Sequence, residues 1–212
     1  MAQLKLILVS PEPLLCAEFR EQFKELPRVE VVDGYFEQVP EYDCLVSPAN
    51  SFGLMDGGMD AAITRFFGDA LPERVQQRIL EDYRGEQPVG TSIIVETRHP
   101  KHPYLAHTPT MRIPMPVART DYAYLAMWAM LLAIRRHNRD AERRINTVAC
   151  PGLGTGVGRM PFPEAARQMA LAYRNYLSPP ASITVQFARE RQWHIGRGGD
   201  LGFSLPKSLS GW

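Results

Sequence analysis

Cysteine is scarce, with three residues at 16, 44 and 150 in a chain of 212. An odd and widely spaced set is no disulfide framework, so a small stapled secreted fold is excluded and a reducing, cytoplasmic setting is expected. An excess of either charge is missing as well. Twenty-four Lys and Arg stand against 23 Asp and Glu, a formal net charge of +1. That balance argues against a protein built mainly to grip a nucleic-acid backbone. No apolar run is long enough to cross a bilayer, and no membrane association is expected. The run at residues 4–9 meets Pro11 with no small-residue cleavage site, so it reads as a buried strand and not as a signal segment. Internal repeats are absent. His99, His102 and His107 lie close in sequence, but Pro100, Lys101 and Pro103 between them read as a solvated loop leading into a strand. No metal set and no cofactor are expected.

What is present is a 45% hydrophobic chain in which strand-like and helix-like segments alternate. Strands are expected at residues 4–9, 29–32, 43–46, 91–95, 104–106, 145–149 and 183–187. Helices are expected at 14–26, 59–67, 72–83, 121–137 and 163–177. In the fourth of these Tyr122, Ala126, Ala129, Met130, Ala133 and Ile134 recur on one face. The class is therefore α/β. A single domain is expected over residues 1–188, followed by a Gly-, Ser- and Arg-richer tail at 189–212 whose Trp193, Phe203 and Trp212 are candidates to dock on the core.

Two glycine-bearing segments follow expected strands and precede expected helices. The first is Ser47-Pro48-Ala49-Asn50, then Asp56-Gly57-Gly58-Met59-Asp60. Glycine lets a ligand approach the backbone, and the helix beyond offers unpaired N–H groups and a positive dipole end, which together make an anion site. From this segment alone a plain strand-to-helix turn explains the glycines as well. The second is Cys150-Pro151-Gly152-Leu153-Gly154-Thr155-Gly156-Val157-Gly158. Four glycines at alternate positions after a buried strand expose successive N–H groups, as in an anion-binding nest, and are harder to explain by turning alone. Neither segment is a P-loop, because no Lys-Ser/Thr follows the glycines. The dinucleotide fingerprint also fails, because Val157 occupies the place of its third glycine. Two such loops at strand ends suit a phosphorylated ligand lying across the carboxyl edge of a sheet.

At this point the chain resembles the macro domain family. Ser47-Pro48-Ala49-Asn50 followed by Gly57-Gly58-Met59-Asp60 resembles the family's Asn-Ala-Ala-Asn and Gly-Gly-Gly-Val-Asp/Ala, and Gly154-Thr155-Gly156-Val157-Gly158 resembles its Ser-Thr-Gly-Val-aromatic-Gly. The resemblance runs roughly from 31 to 177. It implies a three-layer α/β/α fold with a mixed central sheet and a cleft for ADP-ribose or an ADP-ribosylated substrate. It implies catalytic roles for Asn50 and Asp60. Ligand contacts are implied for Asp33, Ser51, Gly57, Gly58, Met59, Gly154, Thr155, Gly156, Val157 and Gly158. Three positions depart from the family pattern. Ser47 replaces the first Asn, Tyr35 stands where an adenine-contacting Asp is usual with Asp33 placed to substitute, and Gly158 replaces an aromatic. Hydrolysis at the distal ribose, binding without turnover, and recognition of another phosphorylated nucleotide are the readings left open.

Overall fold

A computed structural model of the protein describes residues 4–196. In chain order the elements are β1 (Lys5–Ser10), α1 (Pro13–Phe23), β2 (Val29–Asp33), a 3-10 turn (Phe36–Gln38), β3 (Cys44–Ser47), α2 (Gly58–Phe67) and α3 (Ala70–Tyr83). There follow β4 (Ile93–Glu96), β5 (Tyr104–His107), α4 (Tyr122–Asp140), β6 (Thr147–Cys150), α5 (Phe162–Leu177) and α6 (Val185–Ile195). The strands form one mixed sheet in the order β2-β1-β6-β3-β5-β4. Neighbours pair in parallel except β4, which runs antiparallel to β5 at the edge.

The sheet is covered on both faces, which is why residues 6–9 of β1, 44–46 of β3 and 148–150 of β6 read as unbroken apolar runs. Alternate strand residues serve opposite layers. Leu6, Leu8, Val46, Ala106 and Val148 pack with α1, α4 and α5, among them Phe19, Met127 and Tyr173. Ile7, Val9, Leu45, Leu105 and Ala149 pack against α2 and α3, including Ile63, Leu71 and Val75. The three-layer α/β/α architecture expected from the sequence is the one observed, and the matched elements agree to within three residues at their ends.

One element differs in kind. The expected strand at 183–187 is the start of helix α6. Its alternation of Ile183, Val185 and Phe187 suits a strand, yet β6 is already flanked by β1 and β3, so no slot beside it is open. Thr184 instead caps the helix, its hydroxyl accepting the Phe187 N–H at 3.1 Å. Ile183 is left 84% exposed. Helix α6 runs across residue 188 and is tied to α5 by Arg167, which donates to the carbonyls of His194 and Ile195 at 2.9 and 2.8 Å. Trp193, a candidate to dock on the core, is 73% exposed; Phe203 and Trp212 lie outside the described residues.

A buried polar pair braces the ends of the central strands. His107 Nδ1 donates to Gln87 Oε1 at 2.7 Å, and Gln87 Nε2 donates back to the His107 carbonyl at 3.2 Å. Burial pulls the His107 pKa down to about 3, so the ring is neutral at physiological pH.

Candidate ligand-binding and active site

A cleft of about 550 Å³ opens across the carboxyl ends of β2, β1, β6, β3 and β5. Its walls include both glycine loops: Asn50 and residues 56–60 on one side, Gly152 and residues 154–158 on the other. The tertiary structure therefore brings to one cavity two segments that are about a hundred positions apart in sequence.

The first loop leaves β3 and enters α2. Gly57 is the residue before the helix, extended at φ −136° and without a side-chain cap, while Gly58 opens the helix at φ +53°. The latter value favours glycine. The N–H groups of Gly58, Met59 and Asp60 donate to no protein group; Ala61 is the first to bond back, to the Gly57 carbonyl at 3.2 Å. The second loop folds on itself through Arg159 N–H to the Gly156 carbonyl at 2.9 Å and Met160 N–H to the Gly154 carbonyl at 3.0 Å. The N–H groups of Thr155, Gly156, Val157 and Gly158 are left without a protein acceptor. Seven backbone donors without a protein acceptor thus belong to residues lining one cleft, with the positive end of the α2 dipole among them, an arrangement chemically suited to an extended anion.

Gly158 explains the missing aromatic. A Cβ there would run into the Gly154 carbonyl oxygen and lie 2.8 Å from Val117 Cγ2. The Gly158 carbonyl also accepts the Val117 N–H at 2.7 Å, which pins the loop to the segment before α4. Gly57 is the opposite case, because its missing Cβ faces open space. Gly57→Val is therefore expected to fold and melt like wild type while its side chain fills the cleft and abolishes ligand binding; parallel melting and calorimetric titrations check this.

Asn50 and Asp60 are each 7% exposed, and both line the cleft. The Asn50 carbonyl accepts the Phe52 N–H at 3.0 Å, which leaves its NH₂ as the free donor. Asp60 accepts a 2.6 Å hydrogen bond from the Ser47 hydroxyl. Burial pushes the Asp60 pKa up to about 6; the Ser47 bond opposes that shift and the nearby Asp56 adds to it. Ser47, the departure from the family's first Asn, thus serves as the support of the buried acid.

Three expected ligand residues are placed otherwise. Asp33 ends β2 on the surface, is ion-paired with Arg20 of α1, and does not line the cleft. The Cys16 thiol and the Arg20 guanidinium hold its carboxyl below the usual range. Ser51 lies behind the wall, fully buried. Its N–H is shared between the Met111 and Arg112 carbonyls at 3.1 Å, and its carbonyl accepts from Gln87 N–H at 2.9 Å. Thr155 lines the cleft, but its hydroxyl donates to the Gly152 carbonyl at 3.2 Å, so its loop consumes the donor expected for the ligand. Glu12, Arg65, Met111 and Phe162 also line the cleft. Of these, Glu12 carried a signal in the sequence, its place just past a buried strand. Among the described residues no group of three or more His, Cys, Asp or Glu side chains is arranged to hold a metal ion.

Comparison with known proteins agrees with this geometry. The family model described as Macro domain matches residues 46–169, more than half of the chain. A protein of Aquifex aeolicus is 34% identical over 149 residues, covering 70% of this chain and 82% of its own length. Among solved structures, the macrodomain of Mycobacterium tuberculosis DarG superposes with a TM-score of 0.55 at 21% identity, over 68% of this chain and 88% of that one. A mutant of the Oceanobacillus iheyensis macrodomain with ADPR gives a TM-score of 0.55 at 18% identity, over 73% and 85%. The chain belongs to the macro domain family and is similar in structure to macrodomains that bind ADP-ribose. No described helix is long and apolar enough to cross a membrane.

Proposed function

We propose that the cleft binds ADP-ribose and that the protein hydrolyses ADP-ribosyl derivatives at C1 of the distal ribose. The observation that carries this reading is the set of seven unpaired backbone N–H groups beside one buried carboxyl of raised pKa. The donors suit a diphosphate. Their binding energy holds the sugar against Asn50 and Asp60, so remote contacts orient the reacting end.

In an ester of the distal ribose with a protein carboxylate, Asn50 orients the ribose hydroxyls through its free NH₂. Asp60 removes a proton from a water molecule as the water oxygen attacks C1. The bond from C1 to the acceptor oxygen breaks, the acceptor leaves as a carboxylate, and Asp60 returns its proton to solvent. A carboxyl titrating near 6 is ionised at neutral pH yet basic enough for this role. We place the activity in the cytoplasm, consistent with three buried, unpaired cysteines.

Activity is expected to rise with pH through a midpoint near 6, following ionisation of Asp60. Ser47→Ala removes the hydrogen bond that favours the charged form, so its midpoint is expected above that of wild type. A pH–rate series on both proteins checks this. The deciding experiment for the whole reading is calorimetric titration with ADP-ribose, followed by release of ADP-ribose from a modified acceptor. Binding without release favours a reader of ADP-ribose, for which Gly158 is the supporting observation: it places no side chain over the sugar. Absence of binding overturns both readings.

A further inference from the structure

We infer that the strap of residues 111–117 is the acceptor-binding surface, and that it takes a peptide with an apolar side chain next to the ADP-ribosylated residue. The inference rests on the reading of the cleft as an ADP-ribose site and concerns what lies beyond C1 of the distal ribose.

The strap lies in the connection from β5 to α4 and is anchored to both loops of the cleft. At its start Met111 forms a parallel bridge with Asn50, and the Met111 and Arg112 carbonyls share the Ser51 N–H at 3.1 Å. At its end Val117 N–H bonds the Gly158 carbonyl at 2.7 Å, and Val117 Cγ2 lies 2.8 Å from where a Cβ at 158 would stand. Between these anchors Pro114 lines the cleft, as does Met111. On the proposed reaction Asn50 orients the distal ribose, so the acceptor bonded to C1 emerges beside this strap.

The outer side of the strap is apolar and uncovered. Ile113 is 52% and Met115 43% exposed, and Val157, the neighbour of Gly158, is 54% exposed. Single exposed apolar residues are ordinary, but here two flank a cleft-lining proline and a third stands next to the far anchor. Pro114 and Pro116 fix two φ angles, so the strap has little conformational entropy to lose when a partner docks. The N–H groups of Ile113 and Met115 donate to no protein group and are available to peptide carbonyls. The one charged side chain in residues 111–118 is Arg112, whose Nε and Nη2 both donate to Glu86, at 2.6 and 3.0 Å. That stretch holds no aromatic ring. Single-stranded nucleic acid is gripped by cations and by stacking on rings, so the strap suits an aliphatic side chain of a peptide instead. Methionine adapts readily to such a partner.

The test is calorimetric titration with free ADP-ribose and with two peptides that carry ADP-ribose through a non-hydrolysable amide linkage. One peptide has leucine on both sides of the modified residue and the other has serine. Wild type is expected to bind the leucine peptide about tenfold more tightly, the order expected when an aliphatic side chain leaves water. Ile113→Ser combined with Met115→Ser is expected to bring the two peptides within about threefold, with melting and affinity for free ADP-ribose unchanged. A structural lesion does not produce that split. Ile183→Ser, at an exposed apolar residue outside the cleft, is expected to keep the wild-type preference. Equal affinities for the two peptides in wild type, a preference that survives in the double variant, or a loss that extends to free ADP-ribose overturns the assignment of the strap while leaving the ADP-ribose reading intact. So does an ADP-ribosylated oligonucleotide whose affinity the double variant lowers as much as that of the leucine peptide. Failure of wild type to bind ADP-ribose overturns the proposed function and this inference together.

Discussion

Asp60→Ala is expected to lower turnover of an ADP-ribosyl ester by about 10²–10⁴-fold, the range for a positioned acid or base, with ADP-ribose affinity changed by no more than about threefold. On the proposed reading the two readouts separate, because the carboxyl would act at the reacting carbon, whereas seven backbone donors without a protein acceptor are left for the phosphates. Single-turnover release and calorimetry on the same preparations measure them. Equal turnover by wild type and variant removes Asp60 from the mechanism.

Asp60→Asn carries a second expectation, in stability. The folded carboxyl keeps its proton up to about pH 6, while in the unfolded chain it titrates near 3.8. Below the lower value both states are protonated and the charge has no effect on folding. Between the two values the folded state binds more protons, so the stability of wild type falls as pH rises; above about 6 the penalty is constant. Asparagine keeps the shape and an acceptor for Ser47 without the charge. It is expected to stabilise the protein by about 1–3 kcal/mol at pH 8, with the gain fading below pH 4. Denaturant melts at both pH values check this. A gain at pH 8 together with lost turnover marks a site where stability is given up for function.

Gly158→Ala is the other large effect. The added carbon meets the Gly154 carbonyl oxygen, Val117 Cγ2 at 2.8 Å and the Gly154 carbonyl carbon at 3.0 Å. Two of these are backbone atoms and cannot swing aside, so the loop itself must move and its N–H groups lose their common aim. Stability is expected to drop by about 1–3 kcal/mol, as for overpacking elsewhere. Affinity for ADP-ribose is expected to fall by about 100-fold, equivalent to the loss of one or two hydrogen bonds to charged oxygens. Gly156→Ala is the control, since a Cβ there has no neighbour within 4 Å. Thermal melts and calorimetry on the pair decide the matter. Wild-type binding by Gly158→Ala would falsify the view that this loop cradles the phosphates.

The fold was legible because burial on both faces leaves a strong mark. Residues 6–9 and 44–46 are apolar without a break, and the stripe through Ala126, Ala129, Met130 and Ala133 has helical period. Both glycine loops were legible for the same local reason: a strand, then glycines, then a helix start. The failure at 183–187 is instructive. Ile183-Thr184-Val185-Gln186-Phe187 alternates as a strand does, but pairing depends on a free neighbour, and β1 already holds the place beside β6. Asp33 failed similarly. Its proximity to Gly34 and Tyr35 suggested the cleft, whereas α1 brings Arg20 over to hold it at the surface.

Local chemistry in the chain was enough to determine the α/β class and the two glycine loops, because short-range patterns encode backbone conformation and the donors it exposes; Asn50 and Asp60 were singled out by the resemblance to the macro domain family. Tertiary structure alone decided that the loops face one another, that Ser47 supports a buried Asp60, that Glu12 and not Asp33 borders the cleft, and that position 158 has no room for a side chain. Each of these depends on which strands lie side by side and on how far water is excluded, and both are properties of the assembled sheet and its covering helices.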